Sequence, residues 1–114
     1  MAAWLIEKFH DWSDWERFQI DNLLHNLTLY WMSNCIAFSM TAYHGNVFTQ
    51  TPFGRITAPV GIARFPHDML PVPREWIEKN FKVIQFTEMP YGGHFTAMEA
   101  PQLFADDLRK IGRR

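Results

Sequence analysis

Only two stretches of this 114-residue chain read as β-strands, and the helix between them fixes how they can pair. Beyond Gly45 the sequence is punctuated by Pro52, Gly54, Pro59, Gly61, Pro66, Pro71, Pro73, Pro90, Gly92 and Gly93, the residue types that mark turns and loops. Two short apolar runs of strand length, residues 60–65 and 82–86, lie between these marks. Pro73 suits the first position of a helix that residues 74–80 continue. Strand, loop, helix and strand in that order predict a parallel pair joined by a right-handed crossover. Parallel strands occur almost only in sheets covered on both faces, and a lone pair leaves edges without partners. With 47% of its residues apolar, the chain carries more apolar surface than two strands and a few helices can hide. It is expected to be the C-terminal part of a larger α/β protein.

The remaining segments are helical. Residues 2–12 place Trp4, Leu5, Lys8, Phe9 and Trp12 at helical spacing, the pattern of an amphipathic helix. After a connection at residues 15–19, a second helical stretch runs over residues 20–43. It is broken near Ser33 and Asn34, with Leu23, Leu24, Leu27, Tyr30 and Trp31 on one side and heavily buried. No Asp, Glu, Lys or Arg occurs between Asn22 and Gly54, which raises the question of a membrane span. His25, Asn26, Thr28, Ser33, Asn34, Ser39 and Thr41 interrupt the apolar run at every turn, unlike a spanning helix of about 20 mostly apolar residues. A helical layer in a protein interior is expected instead, its polar side chains capped or facing a cavity. The last helix is expected over residues 101–111 with Leu103, Phe104, Leu108 and Ile111 inward. Arg109, Lys110 and Arg113 then sit at the negative end of its dipole.

Charge and cysteine content exclude several functions. The net charge is −1, with Lys and Arg scattered except at the C-terminal end, so no basic field exists for holding nucleic-acid phosphates. Cys35 is the only cysteine, which forbids an internal disulfide and disfavours a cysteine metal site. His25 and His44 have no metal-ligand spacing, and residues 1–15 lack the features of a secretory signal. A cytoplasmic protein without metal or cofactor is expected.

Three polar residues are candidates for chemistry. Asp68 follows the first strand, and carboxyl strand ends are where open α/β sheets hold their ligands; a loop-capping carboxylate is the alternative. His94 follows the second strand behind Gly92 and Gly93, whose freedom permits a tight turn that brings an imidazole close to backbone and substrate. Imidazoles titrate near neutrality and so suit general-base work; an exposed turn histidine is the alternative here. Adjacent parallel strands are about 5 Å apart, so the Asp68 and His94 loops can meet at one sheet edge. Tyr43 closes the charge-free stretch, where its phenol can donate a hydrogen bond to a developing oxyanion or simply pack. No Gly-x-Ser-x-Gly elbow is present.

The wording around these residues is similar to a known family. Pro59-Val60-Gly61-Ile62-Ala63-Arg64-Phe65-Pro66-His67-Asp68, Pro73-Arg74-Glu75-Trp76, Glu88-Met89-Pro90-Tyr91-Gly92-Gly93-His94-Phe95 and Glu99-Ala100-Pro101 resemble the C-terminal part of microsomal-type epoxide hydrolases. These α/β-hydrolases include the juvenile-hormone epoxide hydrolases. Trp4-Leu5-Ile6-Glu7-Lys8-Phe9, Trp12-Ser13-Asp14 and Leu29-Tyr30-Trp31 resemble that family's lid. The resemblance implies a helical lid segment at residues 1–50 and the C-terminal part of the hydrolase core at residues 51–114. It implies that His94 is the water-activating base, Asp68 its acidic partner and Tyr43 a lid tyrosine that hydrogen-bonds the oxygen of a small apolar epoxide. The family's nucleophilic Asp, which forms an alkyl-enzyme ester, has no counterpart in these residues. The chain alone is therefore expected not to turn over epoxides, and to pair through its strand edges with the N-terminal part or with itself. Another α/β-hydrolase activity, esterase or haloalkane dehalogenase, and a non-catalytic chain, either a truncated fragment or a sheet-completing subunit, are the competing readings.

Overall fold

The structure, a computed structural model, describes residues 1–48 and 54–113. The boundary expected at residues 50 and 51 lies outside the described residues.

Helix α1, Ala2–Asp11, buries Leu5 and Phe9, one turn apart, with Trp4, Lys8 and Trp12 half-buried beside them. This is the face that the periodicity marks. A single 3₁₀ turn, Trp15–Arg17, leads to α2, Ile20–Met32, and α3, Ile36–Phe48. The break between them falls where expected, at Asn34, whose φ of 51° is a left-handed value that Asn tolerates better than most residues. Within the charge-free stretch, Thr28, Ser39 and Thr41 donate their hydroxyls back to the carbonyls of Leu24, Ile36 and Phe38. Such back-bonding satisfies a polar side chain without leaving the helix.

The expected burial of this layer needs correction. Leu23 is 1% exposed and Leu27 and Tyr30 are half-buried, but Leu24 and Trp31 stand 52% and 72% open, as do Leu29, Met32 and Phe38 on the same layer. A 3.6-residue repeat shows which residues share a stripe; how wide a stripe is covered depends on what packs against it. Among the described residues α1 packs on α2, with its Trp4 ring also against Tyr43 of α3, and the outer side of the layer has no cover. None of these helices is long and apolar enough to cross a membrane.

Strands β1, Ile56–Arg64, and β2, Phe81–Glu88, pair in parallel around α4, Arg74–Asn80. The strand, helix and strand order and the parallel pairing agree with the expectation. The first strand is longer than expected because it runs through Pro59. Proline has no N–H to give a ladder and is confined to strand starts, edges and bulges. Pro59 sits at such an irregularity, between shifted registers at Ile56 and Val60, in the exposed first half of β1. Arg64 and Glu88 face each other across the pair with Nε to Oε2 at 2.8 Å. Each strand has one edge unpaired among the described residues.

Past β2 the chain makes a short helix α5, Thr96–Glu99, and then α6, Pro101–Gly112. Phe65, Met89 and Ala100 form a core at the strand ends, with Ala63, Tyr91 and Leu103 packed against it. Helix α6 lies close on β1: a Cβ at Gly61 would overlap the Ile111 side chain. The inward face of α6 differs from the expected one. Leu103, Phe104 and Ile111 are half-buried, whereas Leu108 is exposed and Asp107 takes the buried position at 4%. Thr87 donates its hydroxyl to Asp107 Oδ1 at 2.7 Å, so the carboxylate is accommodated by a partner that local sequence does not reveal. On the outer face, the Gln102 side-chain hydrogen bond, with help from Arg109, holds the Asp106 carboxyl below its ordinary range.

Candidate active site

The parallel pairing does not stop where the strands do. Met89 N–H donates to Arg64 O at 2.8 Å and His67 N–H donates to Gly92 O at 3.1 Å, and His67 and Gly93 form a further parallel bridge. The residues next in line on the two loops are Asp68 and His94. His94 Nδ1 and Asp68 Oδ1 are 3.0 Å apart, a good hydrogen-bond distance. Asp68 Oδ1 also accepts the N–H of Met69 at 2.7 Å, which orients the carboxylate toward its own loop. The pair is partly open to water, with side chains 42% and 38% exposed.

The turn that carries His94 is built from its two glycines. Gly92 has φ +97°, a conformation that side chains rarely adopt. At Gly93 a Cβ would lie 2.5 Å from Trp12 O, 2.9 Å from His67 O and 2.9 Å from Ser13 Cα. Backbone thus closes on this residue from both the Asp68 loop and the end of α1. That approach lets Trp12 O accept the His94 N–H at 2.7 Å. The Trp12 and Phe95 rings stand edge-on to the imidazole at 5.3 and 5.2 Å between centroids. With Nδ1 engaged by Asp68, Nε2 is the imidazole nitrogen left for chemistry.

His94 forms part of the wall of two cavities. One, of about 330 Å³, lies beside β1 and α6 and includes Asp68, Thr96 and Asp107. The other, of about 320 Å³, lies among α1, α2 and α3. Trp4, Leu5, Phe9, Phe95 and Met98 make it largely apolar, while Lys8, Asn26, Tyr30, Ser39 and Tyr43 add polar groups. Tyr43 therefore shares a cavity with His94, its ring edge-on to Trp4 at 5.3 Å. A largely apolar cavity with a few convergent polar groups is the usual form of a small-molecule site.

All three residues expected to carry chemistry thus border connected features: Asp68 and His94 in contact, and Tyr43 across the second cavity. The sequence assigns Tyr30 to packing and names Asn26 and Ser39 among the polar residues expected to be capped or to face a cavity, which both do. Asn26 and Tyr30 on α2, and Ser39 and Tyr43 on α3, are each four residues apart. Residues so spaced share a helix face, and two polar pairs of this kind in an uncharged stretch are the available signal for a cavity wall. The contribution of the Trp12 carbonyl has no such signal, because a backbone atom leaves no residue-type signature.

No protein-family model matches the chain. Epoxide hydrolase 1 of Sus scrofa is 32% identical to it over 128 residues, covering 97% of this chain and 28% of that protein. The solved structure of an enantioselective mutant of the Aspergillus niger epoxide hydrolase superposes with a TM-score of 0.85 at 30% identity, covering 98% of this chain and 30% of that one. The crystal structure of juvenile hormone epoxide hydrolase from the silkworm Bombyx mori gives 0.84 at 29% identity, with 97% and 32% covered. The chain thus spans about a third or less of the length of these relatives while matching them along nearly all of its own. By sequence and by fold, the chain belongs to the epoxide hydrolases of the α/β-hydrolase fold, in which it corresponds to a C-terminal portion.

Proposed function

We propose that these residues carry the hydrolytic half of an epoxide hydrolase, acting on small, largely apolar epoxides that occupy the cavity between α1, α2 and α3. The observation that carries this reading is the 3.0 Å contact between His94 Nδ1 and Asp68 Oδ1 beside a cavity shared with Tyr43. An epoxide needs a proton or hydrogen-bond donor on its oxygen as the ring opens, and an ester intermediate needs a base to activate water. In the first step a carboxylate nucleophile attacks a ring carbon, the C–O bond breaks, and the Tyr43 phenol hydrogen-bonds the emerging alkoxide. In the second step His94 Nε2 takes a proton from water, and the resulting hydroxide attacks the ester carbonyl. The ester C–O bond then breaks, the imidazolium returns its proton to the departing oxygen, the proton of the added hydroxyl passes to the alkoxide left by ring opening, and the diol leaves as the carboxylate and neutral imidazole are restored. Asp68 accepts from Nδ1–H, fixes the tautomer and stabilises the imidazolium formed in this step.

The 114 residues contain no Gly-x-Asp-x-Gly segment to supply that carboxylate. The nucleophile is therefore assigned to polypeptide outside these residues, which would also cover the open strand edges and the apolar side chains exposed on α2 and α3. In this reading residues 1–50 act as lid and residues 51–114 as core, in a cytoplasmic protein. A haloalkane dehalogenase would need the same base and acid, but a halide departs without needing a proton, and the cavity that Tyr43 shares with His94 favours a reaction that breaks a C–O bond.

The test is a chimera in which this chain replaces the matching segment of the Aspergillus niger enzyme. In that chimera Tyr43→Phe is expected to lower the rate of ester formation by about 10²-fold, the usual effect of removing one donor to a developing oxyanion. Single-turnover kinetics with an aryl epoxide measure it, and an unchanged rate would remove Tyr43 from the mechanism.

A further inference from the structure

Glu99 is 7% exposed, and no Lys, Arg or His among the described residues forms an ion pair with it. A carboxylate is buried this deeply only when hydrogen bonds replace the water it has lost. Both oxygens are used. Oε2 accepts the N–H of Asp14 at 2.6 Å and Oε1 accepts the N–H of Phe95 at 3.0 Å. The two donors belong to segments far apart in sequence: Asp14 lies in the turn after α1, and Phe95 directly follows His94. The same turn holds the histidine loop at two more points. Trp12 O accepts the His94 N–H, and Asp14 Oδ2 accepts the Gly92 N–H at 3.3 Å.

We propose that Glu99 is a positioning residue for the water-activating step, a role that rests on the reading of His94 and Asp68 as base and partner. Its carboxylate bolts residues 12–14 to the loop on the far side of His94, so the backbone is held at Gly92, His94 and Phe95. With the backbone fixed and the Trp12 and Phe95 rings flanking the imidazole, Nδ1 stays within reach of Asp68 and Nε2 is left toward the cavity. Gln at position 99 has nearly the same shape but one acceptor oxygen in place of two. Its amide N–H₂ would meet one of the two backbone N–H donors head-on. The turn and the loop would then separate, and the imidazole would lose its constant distance to Asp68.

The experiment is nitrogen-15 NMR of the His94 imidazole in the full 114-residue chain, above the pH at which it is protonated, together with amide hydrogen exchange. In the unsubstituted chain the Nδ1–H tautomer is expected to predominate, and Asp68→Ala is expected to move the ratio toward that of free histidine in water. Glu99→Gln is expected to move it at least half as far while Asp68 remains in place, and to speed exchange at the His94 and Phe95 amides at least tenfold. A ratio unmoved by Asp68→Ala would overturn the base-and-partner reading, and the role of Glu99 with it. A ratio moved by Asp68→Ala but not by Glu99→Gln would leave that reading standing and overturn the role of Glu99 alone. If circular dichroism shows that Glu99→Gln does not fold, exchange in the unsubstituted chain decides. Slow exchange of the Asp14, His94 and Phe95 amides at a common rate supports the bolt, and free-peptide rates at Asp14 and Phe95 overturn it.

Discussion

Purified and incubated with an aryl epoxide, the 114-residue chain is expected to form diol no faster than buffer, whereas the chimera with the Aspergillus niger enzyme is expected to form it and to lose the activity by at least about 10⁴-fold on His94→Gln. The physical reason is that the reaction is divided between two groups that act in turn. The carboxylate nucleophile opens the ring; the His94 and Asp68 pair, 3.0 Å apart, only discharges the product. A base without a nucleophile has no ester to hydrolyse, and members of such a catalytic set act as a unit. Product analysis by chromatography distinguishes the cases. Diol formation by the chain alone, abolished by His94→Gln, would show that these residues already contain a nucleophile.

Replacing Gly93 with alanine is expected to have the largest structural effect of any single methyl group added to the chain. The new Cβ would meet three backbone atoms, Trp12 O, His67 O and Ser13 Cα, at 2.5 to 2.9 Å, and backbone cannot rotate away as a side chain can. Overpacking of this kind costs about 1–3 kcal/mol. A loss of about 2 kcal/mol corresponds to roughly 8 °C in Tm for a chain of this size. The segments pushed apart carry Asp68, His94 and Trp12. A misplacement of about 1 Å at reacting groups costs about 10²-fold in rate, so the chimera is expected to lose at least that much diol formation. Gly45→Ala is the matched control: it lies in α3, where a Cβ meets nothing within 4 Å, and alanine is the better helix former by about 0.5–1 kcal/mol. Thermal unfolding followed by circular dichroism compares the two. Equal melting temperatures for both variants would show that the turn yields without cost.

Asp68 and His94 were legible as a pair because they rest on a local rule. Two parallel strands in register bring the residues just beyond their ends together, and both strand ends are marked by Pro or Gly. The glycines before His94 likewise announce a tight turn, although the partner that makes Gly93 so confined, the end of α1, lies 80 residues upstream and leaves no trace in local wording. The same holds for Glu99. A glutamate three residues after the start of a short helix gives some sign of capping, but its bond to Asp14 reaches back 85 residues. Burial was less legible still. Periodicity placed Leu108, Leu24 and Trp31 inside, and the structure leaves all three exposed, because a repeat identifies a stripe and only the packed neighbours determine its width. Asp107 is illegible for the opposite reason: a charged residue reads as outward until its buried partner is known, here Thr87, with Lys110 3.6 Å from the same oxygen. Strand β1 reads as starting after Pro59 because proline marks turns, yet the register irregularity there removes the need for the missing N–H.

The division of labour between an outside nucleophile and the His94 and Asp68 pair is tested most directly by the intact mass of the chimera after mixing with excess epoxide. Hydrolysis of the ester is the step assigned to His94, so the His94→Gln chimera is expected to gain the full mass of one epoxide and keep it, while the unsubstituted chimera shows no lasting adduct and releases diol. A His94→Gln chimera that forms no adduct, or that turns over as fast as the unsubstituted one, would contradict the assignment of His94 as the base that frees the product.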